Sequence, residues 1–336
     1  MKRTIIALSL AAVVGVNSYV FAQDSATAPA KAPLAATAPL AASAPAPTTA
    51  SAPASQPVVV ATVGDVKIIS DKIDGIVELI KSKRELTKDQ EQMLRGKILD
   101  NLISEELAKN YIKTKKIEVT PAEIAEQKDE YTKQAAKNDM TLDQFMKAYG
   151  WTDANIADGA RLKKMVKDAT TKEKIAEVIK AHPEYFNGTS VKASHILILC
   201  SPVASTEEQK AAKAKIEGIL ADIQAKKMTF GEAAKKFSED PGSKIADGAL
   251  GEAFTFEKMV PQFAAMAWAT PKGDISKPVR SEFGYHIILV TDRTDGTAKA
   301  EDMPMKDVVA EGILMGQLQS EIFGQAEGAL PVVIVK

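Results

Sequence analysis

An α+β architecture is predicted by three observations. Residues 70–180 carry amphipathic stretches with apolar side chains every three to four positions, such as Ile73, Ile76, Val77 and Ile80, which read as helices. Short β-branched runs stand near the start, near the end and around Val191 and Ile287, and these read as strands. Between residues 191 and 293 the two kinds of segment follow the order β-α-α-(β)-α-β-β. That order calls for a small antiparallel sheet with helices against it, set within a mostly helical remainder.

The chain opens on Lys2 and Arg3, then an apolar stretch over residues 5–16, then Val20-Phe21-Ala22. This is the pattern of a secretory signal peptide over residues 1–22, with Gln23 the first mature residue, and it predicts a periplasmic protein. The apolar stretch is too short to serve as a stable membrane anchor. No cysteine stands near the cleavage point, so no lipid attachment is expected. Residues 23–57 are almost entirely Ala, Pro, Ser and Thr, which gives them too little apolar bulk to pack and suits a tether.

Order is expected from Val58. Val58, Val59, Val60 and Val63, the turn Gly64-Asp65, then Val66, Ile68 and Ile69 predict a two-stranded hairpin. Ser70 or Asp71 is expected to cap the first helix. A longer helix carries Leu94, Ile98, Leu102, Ile103 and Leu107. Thr120-Pro121-Ala122-Glu123 is a capping box with proline at the first helical position. A helix follows Thr141, and a single last helix is expected from about Asn155 to Ile179. The segment 191–199 reads as a strand, Ser205 opens a helix, and Phe230, Ala233, Ala234 and Phe237 mark another. Helix is again expected around 260–268, and strand over 275–279 and 284–291. After residue 294 a helix over 305–323 leads to Val332-Val333-Ile334-Val335. A terminal strand needs a partner; the opening strands are the natural one, which would make residues 58–190 and 297–336 one discontinuous helical domain with residues 191–293 inserted. Pairing across a homodimer stays open at this point.

The net charge of -1 leaves no basic footprint for nucleic acid. One cysteine, Cys200, allows no disulfide within the chain. Of three histidines, His182 precedes Pro183 at an expected helix end, where a capping or surface role is the plain reading. His195 lies inside the first strand of the 191–293 segment and His286 inside its last. Strands at the two ends of a small domain are often neighbours, so the two rings could meet, although a histidine on an apolar strand is more often a satisfied core residue. Cys200 and His195 stand five apart on one strand and so face opposite ways, which excludes a Cys–His dyad. Three histidines so spaced do not make a zinc site, and neither metal nor cofactor is expected.

Several motifs then occur in a fixed order: Ala193-Ser194-His195-Ile196-Leu197, Phe230 through Phe237-Ser238-Glu239-Asp240, Gly248-Ala249-Leu250-Gly251, Met259-Val260-Pro261-Gln262-Phe263, Ile275-Ser276-Lys277-Pro278-Val279, and Phe283-Gly284-Tyr285-His286-Ile287-Ile288. In order and spacing they resemble the parvulin (PpiC-like) rotamases over about a hundred residues. The wider layout of signal, helical part and returning tail resembles exported foldases of the SurA and PrsA kind. The resemblance implies a peptidyl-prolyl cis–trans isomerase acting on X–Pro bonds of unfolded or nascent exported proteins. It implies catalytic-site roles for His195, Asp240, Ser281 and His286, and substrate-side roles for Leu250, Met259, Gln262, Phe263 and Phe283. Asp247-Gly248-Ala249-Leu250-Gly251 departs from the family's Gly-Gly-Asp-Leu-Gly, and Trp268 stands where Phe is common. The short loop after His195 lacks the Arg and Lys cluster of phosphate-directed parvulins, so no phospho-Ser/Thr preference is expected.

Rotation about X–Pro faces a barrier of roughly 18–20 kcal/mol and breaks no bond, so it asks for no nucleophile and no metal. It asks for a grip on the proline ring and surroundings that favour the twisted amide. Without the motif context Met259, Phe263 and Trp268 would read as helix core and Phe283 as strand core. Two other readings stand beside the isomerase: a holdase chaperone with an inactive parvulin fold, and a surface adhesin suggested only by the export signal.

Overall fold

The computed structural model describes residues 58–335 apart from 83 and 138. The expected signal peptide and tether lie outside the described residues. Two sheets organise the molecule. The first has the order β2-β1-β7: β1 (Val59–Val63) and β2 (Val66–Ile69) form the opening hairpin, and β7 (Val332–Ile334) joins the free edge of β1 antiparallel. The turn works because Gly64 adopts φ 55, a region open to glycine; its N–H bonds Pro331 O at 2.9 Å, so the turn also anchors the returning tail. β7 therefore finds its partner within the chain.

Six helices follow: α1 (Ser70–Lys81), α2 (Lys88–Thr114), α3 (Pro121–Ala136), α4 (Leu142–Tyr149), α5 (Asp153–Ala169) and α6 (Lys172–Ala181). Thr87, Thr120 and Thr141 each accept from the third backbone N–H of the helix they precede, and Gln90, Glu123 and Gln144 return the bond to the cap. Two expectations need correction. Neither Ser70 nor Asp71 caps α1; both lie inside its first turn, and Ile69 holds the cap position without a side-chain bond. The single helix expected over 155–179 is two. Thr171 accepts from Lys174 N at 3.3 Å and starts α6 afresh, because a hydroxyl that can satisfy an orphan N–H makes a new start cheaper than a continued helix.

The second sheet has the order β4-β3-β6-β5, all antiparallel. β3 (Ser190–Leu199) and β6 (Gly284–Thr294) run the length of it, with β4 (Phe254–Thr255) and β5 (Val279–Ser281) short at the edges. Ile275, expected in a strand, makes only an isolated bridge to Leu289. Alternation divides the sheet's side chains between two cores. On one face Ile196, Ile198, Tyr285 and Ile287 pack beneath α7 (Thr206–Gln224) and α8 (Phe230–Phe237), with buried Cys200 among them. On the other, Val191, Ala193, Ile288 and Val290 meet Phe263, Ala264, Ala267 and Trp268 of α9 (Pro261–Ala269).

The tail helix α10 (Lys306–Gly324) serves both sheets. Leu318 and Ile322 sit in the core of the first with Ile103, Leu107 and Val332, while Ala310 and Ile313 close the core over α9. The loop after β3 is tied the same way: Val203 enters the first core, and Thr206 Oγ1 donates to Ala326 O at 2.7 Å. Among the described residues no helix is long and apolar enough to cross a membrane.

Candidate active site

His195 pairs with Ile288, and His286 with Leu197, in the β3–β6 ladder. The histidines are thus diagonal neighbours on one face, within reach of each other across adjacent strands. Their Nδ1 atoms lie 3.3 Å apart, with ring centroids 5.5 Å apart and planes at 22°. Both are buried, at 7% and 3% exposure.

The outer edge of β3 explains why Asp240 joins them. Past the short β4 contact, that edge has no partner strand, and its N–H groups must be satisfied elsewhere. The loop after α8 supplies the acceptors: Gly248 O for His195 N at 2.8 Å, Ser238 Oγ for Leu197 N at 3.2 Å and Glu239 Oε2 for Leu199 N at 2.8 Å. Laced to the strand in this way, the loop brings Asp240 Oδ2 to 2.8 Å and Ser243 Oγ to 3.0 Å from His195 Nε2. Asp240 also turns its own loop, accepting from Gly242 N at 3.1 Å and Ser243 N at 3.2 Å. At the other end Ser281 Oγ lies 2.7 Å from His286 Nε2 and accepts from Phe283 N at 3.1 Å.

The two ends dictate the proton positions of a neutral pair. A backbone N–H can only donate and a carboxylate can only accept. Ser281 Oγ accepts from Phe283 N–H and donates its own proton to His286 Nε2, which the bonds running back from Asp240 leave bare. His286 Nδ1–H then donates to His195 Nδ1, and His195 Nε2–H to Asp240. The two imidazoles are opposite tautomers in one directed chain. Charge agrees with this. Burial, then the neighbouring His195, push His286 down to about 3, so it is neutral at ordinary pH. Partial burial works to raise Asp240, but the bonds from Ser243, His195 and Gly242 outweigh it and hold the carboxyl at about 2.

Phe263 forms the apolar wall. Pro261 opens α9 with its fixed φ, and the Phe263 ring two residues on stands edge-on to both imidazoles, 5.7 Å and 5.3 Å between centroids at 81° and 78°. Leu250 and Met259, half-buried, pack against the same cluster. Phe283 is 52% exposed at the β5–β6 turn. The Gln262 amide donates to Gly316 O of α10 at 3.2 Å, where a helix carbonyl beside a glycine is open to it. His182 caps the end of α6 and, half exposed, stacks on Tyr185 and pairs with Glu184, remote from the site. Burial pushes the Cys200 thiol up, and it lies on the sheet face opposite His195. Among the described residues, no group of three or more His, Cys, Asp or Glu is disposed to hold a metal ion.

Residues 195–292 match the family model described as Rotamase: PPIC-type PPIASE domain. The protein named Chaperone SurA of Shigella dysenteriae serotype 1 is 42% identical over 116 residues, covering 33% of this chain and 26% of that protein. The Putative peptidyl-prolyl cis-trans isomerase SurA of Haemophilus influenzae is 31% identical over 247 residues, covering 67% of this chain and 76% of the relative. The chain belongs to the SurA family of parvulin-type proteins. It spans about a quarter of the Shigella relative's length, the matched share being 26%. Among solved structures, the peptidylprolyl isomerase PrsA from Bacillus anthracis is 23% identical, with 67% of this chain and 94% of that chain covered and a TM-score of 0.36.

One residue of this SurA-family site escapes a motif-based reading, and another stands in a motif without an assigned role. Ser243, 2% exposed, supports Asp240 and His195 together. The signal was there: Asp240-Pro241-Gly242-Ser243 is a turn in which an Asp side chain collects the N–H groups two and three positions on. Gly248 is the other, at φ 83 against the backbone of His195.

Proposed function

We propose that the chain is a peptidyl-prolyl cis–trans isomerase joined to a helical chaperone domain, and that it assists the folding of exported proteins. Residues 191–293 form the isomerase domain in this reading, and residues 58–190 with 297–336 the chaperone domain. His195, Asp240, Ser281 and His286 make the catalytic floor; Leu250, Met259 and Phe263 grip the proline ring, with Phe283 beside them. Export to the periplasm is supported by the basic, apolar and small-residue order of the first 22 residues.

The carrying observation is that the chain of hydrogen bonds is closed. Each donor on the floor is already spent on a neighbour: Phe283 N–H on Ser281, Ser281 on His286, His286 on His195, and His195 on Asp240. A planar amide holds negative charge on its carbonyl oxygen by resonance, and twisting returns that charge to nitrogen. A buried floor with no free donor and an ionised Asp240 disfavours the planar state more than the twisted one, which lowers the barrier without a covalent step. Phe263, edge-on to both rings, offers the proline an apolar seat.

A protease-coupled isomerisation assay on a short proline peptide tests this. The wild-type chain is expected to accelerate the exchange, and His286→Ala and Asp240→Ala to slow it. A wild-type chain with no rate above the spontaneous one removes the enzyme and leaves a holdase.

A further inference from the structure

A cleft of about 530 Å3 opens between the two halves of the molecule, and it begins at the site itself. Gln262, Ser281 and Glu282 line its isomerase side; Lys97 and Asp100 of α2 and Phe323 of α10 line the other. Ser281 belongs to the floor described above, so the cleft and the floor share a wall residue.

The cleft's charges are unevenly matched. Arg280, on its isomerase wall, is held by Glu327. Asp100 and Glu282 come from different halves of the molecule, and among the described residues neither carboxylate has a hydrogen bond or ion pair. Both residues are exposed along the open side of the cleft, and the protein around their carboxyl groups raises both, Asp100 to about 6 and Glu282 in the same direction. Lys97 stands one turn from Asp100 without an ion pair to it. Unpaired carboxylates on facing walls of a cleft attract a cation that enters it.

We propose that this cleft continues the substrate groove and holds an extended client segment bearing a lysine or arginine within a few residues of the target proline. The inference rests on the isomerase reading of the adjoining site. Asp100 and Glu282 receive the cation from opposite walls, Gln262 and Ser104 offer polar contacts to its backbone, and Phe323 covers the stem. A client held there bridges both halves of the molecule, which joins holding to catalysis.

Fluorescence anisotropy on the full chain, with labelled proline peptides flanked by Lys, Ala or Glu, tests the cleft by itself. The Lys-flanked peptide is expected to bind about tenfold more tightly than the Glu-flanked one at low salt, about 1.4 kcal/mol. Asp100→Asn and Glu282→Gln, which keep size and shape, are each expected to remove most of that ratio while leaving the Ala-flanked affinity unchanged. Equal affinities in the wild type, or a Lys preference that survives both substitutions, overturn the proposal. The isomerisation rate of a short uncharged peptide separates the two claims. A rate without charge preference removes the cleft alone; a charge preference without a rate removes the isomerase alone.

Discussion

Alanine in place of Gly248 is expected to break the lacing that holds His195. The residue sits at φ 83, and a Cβ built there lies 2.5 Å from the His195 carbonyl oxygen and 3.1 Å from the Ala234 Cβ. The strand cannot give way, because His195 is paired to Ile288 in the longest ladder of the sheet. The loop must retreat instead. It then loses the His195 N–Gly248 O bond of 2.8 Å and the Leu250 N–Ala193 O bond of 3.1 Å. Each is worth about 1 kcal/mol, and left-handed backbone at a non-glycine residue roughly 1–2 kcal/mol, so the loss should be roughly 3–4 kcal/mol. Urea unfolding read by Trp268 fluorescence in a Trp151→Phe background measures it, since Trp268 lies in the isomerase core. Isomerisation should fall as well, because Leu250 and Asp240 ride on the same loop. A loss below about 1 kcal/mol with activity intact refutes the idea that this loop is fixed by the strand edge.

Other outcomes follow from the same contacts. Asp240→Asn keeps the shape but removes the anion and sets an amide against donors that now need acceptors; a fall of about tenfold or more in kcat/KM is expected in a peptide assay, as for a lost charge-assisted bond. Acid stability should be governed by His286 over a defined window. Folded, it sits at about 3, against an unfolded value of about 6.5, so below about pH 6.5 the unfolded chain takes a proton that the folded one refuses. Stability then drops by about 1.4 kcal/mol per pH unit from this group, and the urea midpoint of His286→Asn should fall less steeply than wild type between about pH 6 and 4. Asp240 has the same sign over a lower window: its carboxyl, lowered to about 2, adds stability that is present above about pH 4 and lost as pH falls towards 2. Deleting residues 330–336 strips β7 from β1 and removes buried Val332, so the helical half should melt earlier in calorimetry.

Much of this was legible because periodicity and adjacency are local facts. His195 and His286 share a face by simple alternation along two strands that prove to be neighbours, and the same count puts Cys200 on the other side. The tail strand, rich in β-branched residues and lacking a local partner, pointed to the opening hairpin or to a second copy, and β7 pairs with β1. What stayed hidden depends on contacts distant in sequence. Ser243 carries a local turn signal, but its place beside His195 appears only when the edge of β3 draws its loop in. Gln262 reads as pocket-side by position, and its bond to the Gly316 carbonyl comes from α10, over forty residues on in sequence. The break between α5 and α6 is a narrower miss: Thr170-Thr171 carries a start signal in the middle of a continuous apolar stripe, and the stripe concealed it. The cleft has no sequence signature, since its walls come from α2, α10 and the β5–β6 turn.

Exchange NMR on a proline peptide with a small amount of the full chain measures cis–trans interconversion directly, with no coupled enzyme. Spontaneous exchange takes tens to hundreds of seconds, so cross-peaks between the two isomers at sub-second mixing times appear only with catalysis. The account predicts those cross-peaks with the wild-type chain and their marked weakening with Asp240→Asn. Their absence with a folded wild-type chain, or equal strength with the variant, contradicts a catalytic role for the His195–His286–Asp240 floor.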